Sequence, residues 1–383
     1  MSKRYKDSLV NQHMEFLTIV GIFMSEGIKG IWNRKFNMES FWNRCIRVNI
    51  LYTKFFQSLC GTYLYSSVHS IPFSYEEFEP TFPVTKMLGS GLISIVYESE
   101  WEGKPVVVKT KRKHIDTRIH SSIDSMEWYL EWIHWMYPIP TILLAFYEIK
   151  DSFLTQLDYL QEIKNHKAFQ SIEKNSFIQT PTLIETECNE DQLVMTKIEH
   201  KSIHELTNAE VQTSISYLIE MVLHLLTRHG FIHGDLHLGN LLFQGNALCI
   251  IDFGFIIQLT NTQREHVYEL VKGLLLHDYE SAAHHTMEFV CGELTEEEVR
   301  DVSSFIIHVY QKSMEIHHSF SVYNFYELNT KLNKYKACFN PLFYKIVMGI
   351  HSVETLITQI KNPDDLALQL ITILLCVEEK KGE

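Results

Sequence analysis

The sequence contains no C-x-x-C pair, no excess of positive charge, no apolar run long enough to cross a bilayer, no internal repeat and no low-complexity tract. Its seven cysteines, Cys45, Cys60, Cys188, Cys249, Cys291, Cys338 and Cys376, are odd in number and dispersed. Such a set reads as reduced thiols in a cytosol-like compartment. Lysine and arginine number 34 against 47 aspartates and glutamates, a formal net charge of -13, which argues against a nucleic-acid partner. The stretches Phe16 to Met24 and Leu366 to Val377 fall short of the roughly twenty residues a spanning helix needs. No signal peptide is visible, and Asp7, Glu15 and Glu26 interrupt any organelle-targeting pattern. The location read from this is cytoplasmic or at the periphery of a membrane, with organelle targeting left open.

What is present suffices for a sizeable core. The chain has 383 residues, 45% hydrophobic and 21% charged, enough for two or three domain-sized units. The first fifty residues run against the overall acidity, with Lys3, Arg4, Lys6, Arg34, Lys35, Arg44 and Arg47. That segment is either a solvated helix face or a surface for a membrane or partner.

Apolar residues at three- and four-residue spacing (Phe16, Val20, Phe23; Phe41, Cys45, Val48, Leu51, Phe55) predict two long helices over 8–66, with 67–83 as a connector. The segment SIVYESEWEGKPVVVK predicts two strands joined by a turn at Glu102-Gly103. Helical patterning returns over 118–173. Residues 183–198 predict a further strand pair, 208–229 a helix, 247–251 a short strand, and 262–377 a helical remainder. A small strand-rich part followed by a large helical one predicts an α+β protein with the two-lobed order of a kinase and an N-terminal helical extension.

The strongest chemical signal is HGDLHLGN, His233 to Asn240, followed by IDFG, Ile251 to Gly254. Phosphoryl transfer needs an Asp to orient or deprotonate the acceptor, and an Asn and a second Asp to hold magnesium. Asp235 and Asn240 stand five apart, as in a kinase catalytic loop, and Asp252 follows twelve residues later. Gly254 permits the tight turn after the metal ligand. Two other readings stay open. Asp235 could cap a turn, or His233 and His237 could ligate a hydrolytic metal at four-residue spacing. Gly234 and Gly239 oppose a regular ligand-bearing helix there.

A second signal is LGSGLISIV, where Gly89 and Gly91 would let backbone approach phosphates and Val96 would cover an adenine; a plain hairpin is the competing reading. Lys109 ends the strand Val106-Val107-Val108, thirteen residues after Val96. A lysine there either faces solvent or reaches the α- and β-phosphates, held by a helix glutamate. Glu162, 53 residues on, is the candidate partner.

That long interval resembles the UbiB/AarF/ADCK atypical kinase-like proteins, which insert helices between the strand lysine and the glutamate-bearing helix. Gln156-Leu157-Asp158, Glu162 and Asn165 are similar to the family's E-x-D…E…N pattern, with Gln156 in place of its first acid. Lys54-Phe55-Phe56-Gln57 resembles its K-x-G-Q motif, with Phe56 in place of the glycine. His233 to Asn240 is similar to its H-x-D-P-H-P-G-N loop, with Leu236 and Leu238 replacing the prolines. Residues 344–365 resemble its closing helices. Gly89-Ser90-Gly91 departs from the family's alanine-rich loop toward ordinary protein kinases. The resemblance covers roughly residues 40 to 370.

The resemblance implies a protein kinase-like fold in three parts: an extension over 1–75 carrying the Lys54/Gln57 helix, an N-lobe with a helical insertion over 76–200, and a helical C-lobe over 201–383. It implies binding of ATP or ADP with magnesium, and transfer or hydrolysis of the terminal phosphoryl group. The implied roles are Asp235 toward acceptor or water, Lys109 with Glu162 at the phosphates, Gly89 and Gly91 over them, and Asn240 and Asp252 on magnesium. Val96 and the backbone of Met195 to Lys197 would receive adenine. Lys54, Gln57 and Asp158 would control the nucleotide cleft, Lys54 being otherwise a surface residue of an amphipathic helix. A lipid or quinone-related acceptor at a membrane surface is implied as well. Two alternatives remain: a small-molecule phosphotransferase of the aminoglycoside or choline kinase kind, which His233-Gly234-Asp235 matches well, and a pseudokinase binding a lipid or partner.

Overall fold

The computed structural model describes residues 3–33, 37, 40–41, 44–45, 48, 78–136, 140–172, 178–201, 205–244, 247–317 and 322–360. The chain divides into two compact units, 1–158 with 186–194, and 159–185 with 195–383.

The first unit begins with helix α1, Lys3–Asn33. Strands β1 (Lys86–Ser90), β2 (Ser94–Trp101) and β3 (Lys104–Lys111) follow, then helices α2 (Ile115–Met136) and α3 (Pro140–Leu157). The predicted turn is present: Glu102 and Gly103 take φ of 49° and 75°, the left-handed pair that matches strand twist in a two-residue hairpin. Strand β2 alternates, with Ile95, Tyr97 and Ser99 buried and Val96 and Glu98 half-buried, so one face of the sheet packs into the core. The sheet order is β1-β2-β3-β5, where β5 (Gln192–Thr196) carries the chain from the first unit into the second at Val194–Met195.

Residues 183–198 depart from the expected strand pair. Only β5 is a strand; Glu185–Glu187 forms a 3-10 turn, and Leu183 makes a single bridge to Met195. Asn189 explains the difference, because its Oδ1 accepts the N–H groups of Asp191 and Gln192 (2.8 and 3.1 Å) and turns the chain just before β5.

In the second unit, α4 (Tyr159–Ser171) and β4 (Ile178–Gln179) precede α5 (Asn208–His224). Thr207 and Glu210 close a reciprocal capping box at the start of α5. The helix runs on as a π turn over Leu225–His229 and stops at Gly230, whose φ of 64° suits glycine; a Cβ there would sit 2.9 Å from Leu259 O. Four short strands follow: β6 (Phe231–His233), β7 (Leu241–Gln244), β8 (Ala247–Ile250) and β9 (Ile256–Gln258). β6 pairs antiparallel with β9 and β7 with β8, while β4 lies parallel to β8. Ile215, Leu218, Leu248, Ile250 and Phe253 belong to the core beneath them.

Among the described residues after β9 the chain is mainly helical, through α6 (Asn261–Leu275), α7 (Tyr279–Met287), α8 (Glu296–His317), α9 (Val322–Asn333) and α10 (Pro341–Ile360); the part of the expected helical remainder over 361–377 lies outside the described residues. The two-residue strands β10 (Val290–Cys291) and β11 (Cys338–Phe339) pair across it. No described helix is long and apolar enough to cross a membrane.

Candidate functional site

The strand pairing of the first unit lines up three of the residues singled out from sequence. Gly89 is the cross-strand partner of Val96, and Val96 is the partner of Lys109. Directly opposed residues share a face, so the three form a row across β1, β2 and β3. This face is the one turned away from buried Ile95, Tyr97 and Val108. Lys109 is half-buried rather than extended into solvent.

The turn between β1 and β2 is held by a residue that sequence reasoning passed over. Arg112 is buried; its Nε donates to Gly91 O at 2.9 Å and its Nη2 to Ser90 Oγ at 2.6 Å. Its backbone N–H donates to Ile93 O at 2.8 Å, and Gly91 N–H closes the turn on Ser94 O at 2.8 Å. A guanidinium with its donors engaged fixes a glycine turn that would otherwise sample many conformations. A basic residue three past Lys109 gives no sequence signal distinguishing it from a solvated charge.

In the second unit, the two loops carrying Asp235, Asn240 and Asp252 are joined by a continuous set of hydrogen bonds. His233 ends β6 and is buried. Its Nδ1 accepts the N–H of Asp235 at 3.2 Å, which leaves the ring proton on Nε2, and Nε2 donates to Asp252 O at 2.9 Å. Burial holds this imidazole below its ordinary range, although the contact with Asp252 pulls the other way, and the ring is neutral. Asn240 Nδ2 donates to Asp235 O at 2.8 Å, and Asn240 O accepts Ile251 N–H at 3.2 Å. Asn240 is buried, and its amide so oriented keeps Oδ1 as the remaining acceptor. Asp252 Oδ1 accepts Gly254 N–H at 2.9 Å.

Glycine is required within this frame. Gly234 N–H donates to Phe255 O at 2.8 Å, and a Cβ on Gly234 would lie 2.5 Å from the Phe255 ring. From below, Ser352 Oγ on α10 accepts Leu236 N–H at 3.3 Å, and a Cβ on Gly349 would meet Ile232 Cγ2 at 2.5 Å. His237 is exposed; its Nδ1 accepts Gly239 N–H at 3.0 Å and its Nε2 lies 3.9 Å from Asp235 Oδ2. The segment 234–240 is a turn with a 3-10 end at Leu238–Asn240, so His233 and His237 are not ligands on one helix face. Among the described residues, no group of three or more histidines, cysteines or acids is arranged to hold a metal ion.

Helix α4 grips the Asp252–Gly254 segment with one stripe: Glu162, Asn165, His166 and Phe169, at i, i+3, i+4 and i+7. Phe253 stacks on His166 (ring centroids 4.4 Å apart, 28°) and packs on Phe169 at 4.9 Å. Asn165 Nδ2 donates to Phe253 O at 2.9 Å. His166 is itself fixed by Thr180 Oγ1 (2.7 Å) and Pro181 O (2.8 Å). Glu162 is 2% exposed. A Cβ on Gly254 would come within 3.4 Å of the Glu162 carboxylate and 3.3 Å of Asp252 Oδ1, so the missing side chain keeps open a space edged by two acids. Glu162 and Asn165 were legible as a motif. The parts played by His166 and Phe169 were not, although their helical spacing was visible.

The other sequence candidates are placed as follows. Met195 is buried in β5, Thr196 N–H donates to Thr182 O at 2.9 Å, and Lys197 Nζ pairs with Glu199 at 3.3 Å. Asp158 is exposed between α3 and α4, its N–H donating to Thr155 O at 3.1 Å. Lys54 and Gln57 lie outside the described residues.

A four-stranded sheet, followed by a mainly helical unit that carries an Asp-Asn-Asp frame between short strands, defines an α+β protein of kinase-like fold. Residues 70–286, more than half the chain, match the family model of the ABC1 atypical kinase-like domain, and the chain belongs to that family. It is similar to the "Uncharacterized protein in hydrogenase 1 5'region" of Clostridium pasteurianum, 26% identical over 205 residues, 50% of this chain and 38% of that protein. It is also similar to AarF domain-containing protein kinase 1 of Xenopus laevis, 24% identical over 233 residues, 57% of this chain and 44% of that protein. The chain thus matches less than half the length of these curated relatives. A solved chain from the complex of Rv3197 with erythromycin, from Mycobacterium tuberculosis, aligns over 85% of this chain and 83% of its own with a TM-score of 0.44 and 15% identity.

Proposed function

We propose that the chain binds ATP or ADP with magnesium and transfers or hydrolyses the terminal phosphoryl group. The observation that carries this reading is the single hydrogen-bonded frame joining Asp235, Asn240 and Asp252 in the second unit. An amide oxygen and a carboxylate are the hard oxygen donors magnesium takes, so the donor set fits. Asn240 and Asp252 would hold the ion, which when bound neutralises charge developing on the phosphates. Asp235, half-exposed, orients the acceptor hydroxyl or water.

In this reading Lys109, partnered by Glu162, contacts the α- and β-phosphates, and Gly89 and Gly91 cover them. Val96 and the backbone at Met195 to Lys197 receive adenine, and Lys54, Gln57 and Asp158 govern access. The row Gly89–Val96–Lys109 supports the assignment, because all three present to one face of one sheet. Most of the rate gain comes from positioning and charge stabilisation. The name of the Xenopus laevis relative, AarF domain-containing protein kinase 1, supports phosphoryl transfer. The resemblance to UbiB/AarF/ADCK proteins supports an acceptor of the lipid or quinone class at a membrane surface.

Thermal shift with magnesium and ATP or ADP tests the binding step. Wild type is expected to be stabilised and Asp252→Asn not; no stabilisation of wild type, or equal stabilisation of both, overturns the reading. ATPase and autophosphorylation assays, with and without lipid or quinone-headgroup mimics, test the chemistry. Turnover is expected to fall by about 10²–10⁴ in Asp235→Asn, the range for a lost general base. Nucleotide binding with turnover unchanged by Asp235→Asn would make the protein a nucleotide-binding pseudokinase instead.

A further inference from the structure

Elsewhere in the second unit, α6 and α7 bring histidines together that take no part in the frame above. His266 lies on α6, and His284 and His285 lie in the last turn of α7. Nδ1 of His266 and Nδ1 of His285 are 3.1 Å apart, with ring centroids at 5.3 Å and planes tilted by 51°. The His284 ring lies 5.1 Å from that of His285, and Phe289 closes on His266 edge-on at 6.5 Å. His266 and His285 are half-buried and His284 is exposed.

The spacing of the two nitrogens follows from close packing of two fixed helices. A Cβ on Gly273 would lie 2.9 Å from both Ala282 N and Asp278 O, so glycine lets α6 come against the start of α7. Thr260 and Gln263 cap α6 reciprocally, and Asp278 caps α7 through Ser281 N–H at 3.1 Å.

Two imidazoles whose Nδ1 atoms face each other at this distance share one proton or, with both protons on Nε2, present two lone pairs to one ion. In a tetrahedral site with metal–nitrogen bonds of about 2.0–2.1 Å, adjacent ligand nitrogens stand roughly 3.3 Å apart. The observed 3.1 Å falls a few tenths of an ångström short of that separation, and on binding the two rings turn to aim both lone pairs at the ion. We propose that Nδ1 of His266 and Nδ1 of His285 form a two-point chelate for a zinc-class divalent ion such as Zn²⁺, Co²⁺ or Ni²⁺. Each ring keeps its proton on Nε2. With no third described ligand arranged at the pair, water fills the remaining positions and the ion is exchangeable. Imidazole suits this class of metal and not magnesium. The site is therefore independent of the proposed nucleotide chemistry.

Because the pair joins two helices only in the folded chain, the ion binds the native state and stabilises it. The test uses the full chain stripped with chelator, titrated with Zn²⁺ by calorimetry and with Co²⁺ by visible absorption. One equivalent is expected to bind, with a d–d spectrum shifted by nitrogen ligation and a rise in melting temperature. His266→Gln and His285→Gln are each expected to weaken this binding at least tenfold, and His277→Gln on the neighbouring turn to leave it unchanged. Melting of each metal-free variant verifies that it is folded. Absence of binding by wild type, or binding equally tight in folded His266→Gln and His285→Gln, overturns the proposal.

Discussion

His233 Nε2 donates to the main-chain oxygen of Asp252 at 2.9 Å, across nineteen residues of sequence. Through this bond, and the one from Asp235 N–H to its Nδ1, one neutral ring sets the distance between the two loops that carry the candidate catalytic aspartate and the candidate metal ligand. His233→Ala leaves a main-chain acceptor and a main-chain donor without their partner, each costing about 1–3 kcal/mol. Urea unfolding is expected to show a loss of about 2–6 kcal/mol, and a variant as stable as wild type would remove the histidine's structural role.

Asn165 reaches 88 residues along the chain to Phe253 O. Asn165→Ala removes this bond and the exposed one that Asn165 Oδ1 accepts from Gln161 Nε2 at 2.9 Å, and is expected to cost about 1–2 kcal/mol. Asn165→Asp does more, because it puts a carboxylate oxygen against a carbonyl oxygen in place of a donor. The ordering wild type, Ala, Asp in melting temperature is the result to check; Asp equal to or better than Ala would contradict the contact.

Gly234 and Phe255 leave no room for a side chain between them, a Cβ falling 2.5 Å from the ring. Gly234→Ala is expected to destabilise by about 1–3 kcal/mol through overpacking. The same substitution in a Phe255→Leu background should cost less, since the opposing ring edge is gone. A double-mutant cycle reads the difference as a coupling energy, and strict additivity would show that the clash is relieved elsewhere.

The cap of α5 carries a pH dependence. The Thr207 backbone N–H, then Lys201 and the Thr207 hydroxyl, pull Glu210 down from its usual 4.5 to about 2. A carboxyl whose folded pKa lies below its unfolded value adds stability above the unfolded value and loses it as pH falls through the folded one. The melting-temperature gap between wild type and Glu210→Gln is thus expected to be constant above about pH 5 and to narrow as pH falls from 4.5 toward 2. Melts at pH 7 and pH 3 decide it, and an equal gap at both would show that the charge contributes nothing. Thr207→Ala, which removes the cap hydroxyl, is expected to cost about 1 kcal/mol at pH 7 and less at pH 3, because that hydroxyl also donates to the Glu210 carboxylate.

Much of the frame is legible in the sequence. The hairpin at Glu102-Gly103 is, because two left-handed residues between β-branched runs specify their own turn. So is the fold class, since strands of period two followed by helices of period 3.6 are written into short windows of sequence. The Asp235, Asn240 and Asp252 spacing is legible too, because those residues lie on one short stretch of chain. The strand expected before β5 failed where a single side chain, Asn189, competed for the backbone donors; local periodicity does not register that competition.

What sequence alone determined was thus local: the turns, the caps, the periodicities and the order of groups along the chain. Tertiary structure alone decided which half-polar residues became structural: Arg112 in the glycine turn, His166 against Phe253, His233 between two loops, and His266 facing His285. The reason is physical. An arginine or histidine has the same intrinsic preferences in water as in a core, and its role is fixed only when packing removes the water and leaves a particular donor or acceptor as its partner.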